Sequence, residues 1–367
     1  MNAIINKQDF TSAIEKINLI RKHDELVQFK ILNKNTLAIS VATHISSMKI
    51  EVFINIGNND DNDECIINDK AFSTIYKNLK YMDDKITITN SDEFLFVTDA
   101  KMKQVKLTIK PLDSKLKLPA TPIIKNIYRA QTVDFIKRIA LISYAMSKDD
   151  IRVALNGIHF NGNDLVAIDG FRLAIDTNTT SFDVLEPFTI QKNDIKVLTK
   201  LIDNKNNLDM TMSISNTDIT YDFKNKQIKI RYASDLIEGK YFKYHEVLKK
   251  SPNSFTVNKN ELYDNLRFLT ASLPSKPVST VTFKTINENK EFSMKCSNLN
   301  ASILNINKNE VMNFSMNSCY LMDMISHINK ETIDMTFNYQ SNINPFICID
   351  GTTTHLILPV RLKDEDR

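Results

Sequence analysis

Few residues in this chain have the types and spacing that chemistry needs. The six histidines, His23, His44, His159, His245, His327 and His355, show no metal-binding spacing such as H-E-x-x-H. The four cysteines, Cys65, Cys296, Cys319 and Cys348, form no C-x-x-C pair, and no histidine sits at a finger-like offset from them. They read as reduced, buried thiols of a cytosolic protein, not as a disulfide framework. The six glycines give neither G-x-G-x-x-G nor G-x-x-x-x-G-K, so no phosphate-cradling loop is expected. No G-x-S-x-G elbow presents a nucleophile. The acidic run from Asn58 to Glu64 lacks the glycine and the final glutamate of a calcium loop and reads as a solvated hairpin tip. The expectation is no catalytic residue, no metal and no cofactor.

What remains is apolar pattern and charge. The 367 residues correspond to two or three domains, and 42% hydrophobic residues are enough for ordinary cores. Lys+Arg 47 against Asp+Glu 44 gives +3, too small by itself to imply a nucleic-acid partner. The N-terminus MNAIINKQDF has no apolar signal segment and no apolar run is long enough to span a membrane, so a cytoplasmic location is expected.

The elements that carry these residues repeat. Three amphipathic helices are predicted around Phe10, Phe135 and Leu262, which are 125 and 127 residues apart. Each carries apolar residues at i, i+4 and i+7: Phe10, Ile14, Ile17; Phe135, Ile139, Ile142; Leu262, Leu266, Leu269. A second helix follows each, with Phe72, Ile75, Leu79, then Ile195, Leu198, Ile202, then Leu321, Met324, Ile328. Between them TLAISVATHI, MKIEVFIN, KITITN and EFLFVT alternate like strands. Asn161-Gly162 and Asp169-Gly170 predict a three-strand antiparallel meander. Proline-containing stretches at 111–122 and around Pro252 read as linkers. The fold class is therefore α+β. It has three similar domains, 1–121, 122–251 and 252–367, each with two helices on a largely antiparallel sheet.

The helices also carry cations. Lys22, Lys70, Lys77, Lys148, Lys192 and Lys200 stand out, accompanied by Lys16, Arg21, Lys80, Lys137, Arg138, Lys196 and Arg267. Taken singly they are solvated faces. If equivalent helices line one surface, they form a phosphate-facing track that neutralises backbone and reads no sequence. No aromatics are interleaved as single-strand stacking requires, so duplex is the expected target.

IRVALNGIHF, LVAIDGFRLAI and the near-terminal THLILPVRL resemble the signature stretches of the bacterial DNA polymerase III beta subunits, the sliding clamps. Asn156-Gly157, Asp169-Gly170, Arg172-Leu173-Ala174 and Pro359-x-Arg361-Leu362 carry the resemblance, which is sharp there and covers the rest only as repeats. It implies a DNA-clamp fold and a head-to-tail homodimer closing into a six-domain ring around double-stranded DNA, without catalysis. It also implies that short linear motifs of the replicative polymerase catalytic subunit, the clamp loader and repair polymerases dock in an apolar cleft between the second and third domains. Carried over, one side of that cleft holds Leu155, Ile168, Gly170, Phe171, Arg172 and Leu173. The other holds Val247, Val278, Asn317, Tyr320, Ile343, Leu356, Leu358, Pro359, Val360 and Arg361. Phe171 and Leu173 are expected on one wall and Leu356, Leu358 and Val360 on the opposing one, with Arg172 and Arg361 at the rim. Phe171, Phe242 and Glu246 depart from the family, which has a polar residue, a proline and commonly a basic residue there. Lys363–Arg367 extend past the usual terminus, and +3 departs from the family's acidic character.

The dimer contact is expected at an edge strand of the first domain, through Val105 and Leu107, against Leu273 of the other copy. Two rival readings stay open. A metal-dependent nucleic-acid enzyme would turn DNA over, and a peptide-binding scaffold without a DNA role need not have twice the chain mass of 42.1 kDa.

Overall fold

The computed structural model describes residues 1–361 apart from 23, 34, 55–62, 112–122, 150, 178–182, 203–207, 225–227, 249–252, 272–278, 287–290, 304–306, 309–311 and 338–343. Both expected linkers lie almost wholly outside the described residues, as do Leu273, Val278, Ile343 and Lys363–Arg367.

The element order repeats three times. The first repeat runs β1 (Asn2–Asn6), α1 (Lys7–Ile17), β2 (Val27–Leu32), β3 (Thr36–Ala42), β4 (Ser46–Phe53), β5 (Glu64–Ile67), α2 (Asp69–Leu79), β6 (Lys85–Asn90), β7 (Phe94–Asp99) and β8 (Gln104–Thr108). The second runs β9 (Asn126–Gln131), α3 (Thr132–Ile142), β10 (Gly157–Gly162), β11 (Asp164–Ile168), β12 (Arg172–Thr177), β13 (Val184–Gln191), α4 (Lys192–Leu201), β14 (Asp209–Ile214), β15 (Asp218–Lys224) and β16 (Ile228–Asp235). The third runs β17 (Asn253–Asn258), α5 (Lys259–Thr270), β18 (Thr280–Ile286), β19 (Glu291–Cys296), β20 (Leu299–Ile303), the two-residue β21 (Asn307–Lys308), β22 (Asn313–Asn317), α6 (Ser318–Ser326), β23 (Thr332–Phe337), β24 (Phe346–Asp350) and β25 (Thr353–Ile357). All six predicted helices are present, and every strand pairing is antiparallel.

Asparagine starts four of the helices. Asn6, Asn68, Asn258 and Asn317 are extended and accept hydrogen bonds from backbone N–H groups of the first helical turn. Each side chain satisfies a donor that the helix itself leaves open. The expected apolar stripes are the buried faces: Phe10, Ile14 and Ile17 in α1, Phe72, Ile75 and Leu79 in α2, and Leu262, Leu266 and Leu269 in α5. No helix among the described residues is long and apolar enough to cross a membrane.

The sheets do not respect the repeat boundaries. One eight-stranded sheet has the order β5-β2-β3-β4-β16-β15-β14-β9, and a nine-stranded sheet has β13-β10-β11-β12-β25-β24-β23-β17-β21. In each, the four strands before one repeat's second helix join the last strands of the next repeat. The seams are β4 against β16, from Ile228↔Val52 to Ser234↔Ser46, and β12 against β25, from Arg172↔Ile357 to Asp176↔Thr353. Two four-stranded sheets remain, β1-β6-β7-β8 and β20-β19-β18-β22. Chain contacts accordingly divide into two compact units, Met1–Ile136 with Asn193–Ile237, and Lys137–Lys192 with Glu238–Arg367. The division runs through the middle repeat because each of its halves is sewn into a neighbour's sheet.

Two arginines assigned to helix surfaces prove to be internal ties. Arg138 is 4% exposed and donates from Nε to Asp176 at 2.5 Å, with Asp176 itself 1% exposed. Its Nη2 reaches the carbonyls of Asn163 and Asp176, both at 3.1 Å, and Thr352 donates to the same carboxylate at 2.7 Å. Arg21 pairs with Asp69, donates to Ser73 at 3.1 Å and lies over the Phe72 ring, so it ties α1 to α2. Lys16 bonds Ser12 one turn back on its own helix. Asp176→Asn should leave Arg138 buried beside a neutral partner and cost about 3–5 kcal/mol, read from urea unfolding. A loss below about 1 kcal/mol would show that the pair does not anchor this part of the fold.

Candidate functional site: an apolar cavity on the nine-stranded sheet

The residues Ile168, Leu173, Leu356 and Ile347 are successive cross-strand partners on β11, β12, β25 and β24. Directly opposed residues point to one face of a sheet, so these four form a continuous apolar row. They belong to one buried cluster with Val166, Ile175 and Tyr244. Above this row lies a cavity of about 520 Å³. Ile168, Leu173 and Leu356 line it, together with Leu155, Gly170, Phe171, Arg172, Val247 and Leu358.

This arrangement corrects the expected wall-against-wall cleft. Leu173 and Leu356 are hydrogen-bonded neighbours on the floor, because β12 and β25 are adjacent strands. Phe171 and Leu173 do not form one wall. Leu173 is 1% exposed in the strand, whereas Phe171 is 55% exposed on the turn before it. Arg172 is not a free rim cation: it is 4% exposed and bound to two carboxylates.

The sides come from three segments. Leu155 ends a short 3-10 turn, Val153–Leu155, whose carbonyl accepts from the Ser147 N–H at 3.1 Å. Val247 ends another, Tyr244–Val247, which is pinned by its buried tyrosine. Tyr244 donates to Asp164 at 2.8 Å and accepts from Asn161 at 3.1 Å, while Tyr241 donates to the Val166 carbonyl at 3.3 Å. The third side is the turn at Asp169-Gly170-Phe171. Asp169 accepts through one oxygen from the N–H groups of Phe171 and Arg172, at 2.9 and 3.0 Å. Gly170 has φ +92, a backbone conformation that favours glycine; an added Cβ would meet only the end of the exposed Arg152 side chain, which can swing away. The Leu358 N–H donates to the Phe171 carbonyl at 2.8 Å.

Sequence reasoning missed Arg152, Asn344 and Pro345, which also line the cavity, and had noted Phe242 and Glu246 only as departures. Nothing in the spacing of Arg152 marked it. Five other expected residues are absent from the lining. Asn317 caps α6, and its side chain accepts from Cys319 and Tyr320. Val360 bridges to Ser315, and Pro359 and Arg361 flank it outside the cavity. Tyr320 stacks on Phe171, with ring centroids 6.0 Å apart. Burial alone would lower the Arg172 pKa, but hydrogen bonds and charge from Asp323 and Asp169 raise it above the ordinary value.

The six lysines divide between the units. Lys22 and Lys200 come together with Arg21 and Lys196 around a second cavity of about 240 Å³. Lys70 and Lys77 are exposed on α2, seven residues apart on one helix face. Lys148 is exposed after α3, and Lys192 is half-buried at the start of α4. At the proposed dimer edge, Leu107 is only 7% exposed and points into its own subunit, so it offers little to a partner; Val105 is half-buried. The reason is that β8 presents this face to its own core.

Two buried histidines set a pH dependence. His159 bonds Thr189 at 2.9 Å and stacks on Tyr241, and His355 bonds Tyr144 at 2.9 Å. Burial holds both imidazoles down at about 4, from an ordinary 6.5. The unfolded chain therefore takes up protons that the folded chain refuses between those values. The stabilisation is complete above pH 6.5 and is lost as pH falls toward 4, on the order of 3 kcal/mol per histidine. Urea midpoints should drop between about pH 7 and pH 4.5, and His159→Gln should flatten the slope. An equally steep slope in the variant would assign the dependence elsewhere.

Residues 130–243 match the family described as DNA polymerase III beta subunit, central domain. Over 250 residues the chain is 27% identical to the beta sliding clamp of Buchnera aphidicola, and that alignment spans 61% of each protein. It is 22% identical over 356 residues to the beta sliding clamp of Rickettsia bellii, spanning 89% of each. Among solved structures, the sliding clamp of Bartonella birtlesii bound to griselimycin matches with a TM-score of 0.84 at 16% identity, covering 99% of this chain and 100% of that one. The beta subunit from the DNA polymerase of Streptococcus pyogenes matches with a TM-score of 0.82 at 18% identity and the same coverage.

Proposed function

We propose that the chain belongs to the DNA polymerase III beta-subunit family, the beta sliding clamps, and that it encircles duplex DNA and tethers a polymerase to it. It acts as a processivity factor and not as an enzyme, in the cytoplasm, with three clamp domains at 1–121, 122–251 and 252–367. The observation that carries the reading is the seam rule. Strand β4 joins β16 and β12 joins β25, each linking one repeat's first half-sheet to the next repeat's second half. The same rule applied once more pairs β20 with β8, the edge strands of the two four-stranded sheets, and among the described residues of one chain these edges have no further strand beside them. A second copy placed head to tail supplies both partners and closes a ring. The contact then rests on the main-chain edges of β8 and β20, with Val105 beside them, and not on Leu107. An unpaired strand edge is a standing template for such pairing.

Lys22, Lys70, Lys77, Lys148, Lys192 and Lys200 face the enclosed duplex in this reading and touch phosphates without reading bases. A topological link makes tight binding unnecessary, which suits a net charge of +3. The solution mass should be twice 42.1 kDa at micromolar concentration. A monomer mass across a concentration series would defeat the ring.

The 520 Å³ cavity suits an extended apolar motif of a polymerase, clamp loader or repair protein. Leu173→Asp is a poor test, since it buries a carboxylate in the sheet core. Leu358 is only half-buried and lines the cavity. Leu358→Asp should weaken a labelled peptide from the apolar clamp-binding segment of the replicative polymerase by about 30-fold in fluorescence anisotropy, the loss of one anchor. Undiminished affinity in a folded, dimeric variant would move the site elsewhere.

A further inference from the structure

We infer that Asp323, on α6 and outside the cavity, is a positioning residue for the partner site, acting through Arg172 to hold the turn that presents Phe171. The inference rests on the reading of the cavity as a peptide site and assigns a determinant to it.

The chain of contacts is continuous. Asp169 has two tasks: one oxygen holds the N–H groups of Phe171 and Arg172, and the other accepts from Arg172 Nε at 2.9 Å. The turn therefore depends on where the guanidinium lies. That guanidinium sits between two rings, 4.4 Å from the Tyr320 centroid and 5.4 Å from that of Tyr144. Its Nη1 donates to Asp323 at 2.6 Å. Tyr320 and Asp323 are three residues apart on α6, so they share a helix face and meet the same cation. Tyr320 also stacks on Phe171 itself. One helix thus sets both the ring behind the lip and the ion pair that locks its turn.

Removing the Asp323 charge leaves a 4%-exposed cation one partner short. An under-paired buried guanidinium shifts toward water, and Asp169 shifts with it. Asp323 is itself half-exposed, so the substitution does not disturb a packed core.

The test is a double-mutant cycle on dimeric protein with the polymerase-derived peptide. Asp323→Asn should raise Kd about five- to tenfold while the protein stays folded and dimeric. In a Phe171→Leu background, which keeps an apolar lip but removes the stack, the same change should alter Kd less than twofold. Wild-type affinity in Asp323→Asn overturns the inference. An equal loss in both backgrounds also overturns it, because Asp323 would then act on the cavity by another route. If the wild-type protein does not bind the peptide at all, the cavity reading fails first.

Discussion

A strand edge is a row of unpaired N–H and C=O groups, and that constraint organises this molecule. Each repeat makes two half-sheets, and neither is closed. The edge of β4 is satisfied by β16 and that of β12 by β25, seven and five residue pairs long respectively. Stacking whole repeats side by side would leave those edges in water. Joining half of one to half of the next makes eight- and nine-stranded sheets whose centres are fully paired.

The cavity is a consequence of the second seam. Its floor runs from Ile168 through Leu173 to Leu356, crossing from the middle repeat to the last one between β12 and β25. Both repeats contribute to its lining. The sides are then fixed by polar contacts to the sheet: Tyr244 to Asp164, Leu358 to the Phe171 carbonyl, and Asp169 to its own turn. The floor is apolar, and these directional bonds fix the segments around it.

Three arginines and five lysines show two different uses of a cation. Arg21, Arg138 and Arg172 are spent on carboxylates, carbonyls and rings inside the fold. Lys22, Lys70, Lys77, Lys148 and Lys200 remain exposed. The guanidinium is a planar fork with several donors and is weakly hydrated, so burial costs it less when partners surround it. The ammonium is a compact, strongly hydrated point charge that stays in water. The lysines therefore keep their charge in water, while these arginines hold helices and turns in place.

Local pattern was enough to read all six helices, the meander at β10–β12 and the threefold order. The i, i+4, i+7 stripes and the Asn-Gly and Asp-Gly turns depend only on neighbours along the chain. The glycine at 170 was legible for the same reason: φ +92 is a local demand. Which strand lies beside which was not legible, because pairing partners such as Leu173 and Leu356 are far apart in sequence and alternation does not name a neighbour. That is why two adjacent floor residues read as opposing walls, and why Leu107 read as an interface residue although its face is turned into its own core. The fates of Arg138 and Arg172 were likewise decided by tertiary structure. A cation's role follows from the carboxylates that folding brings to it, here Asp176 and Asp323, and a sequence records only that the charges exist.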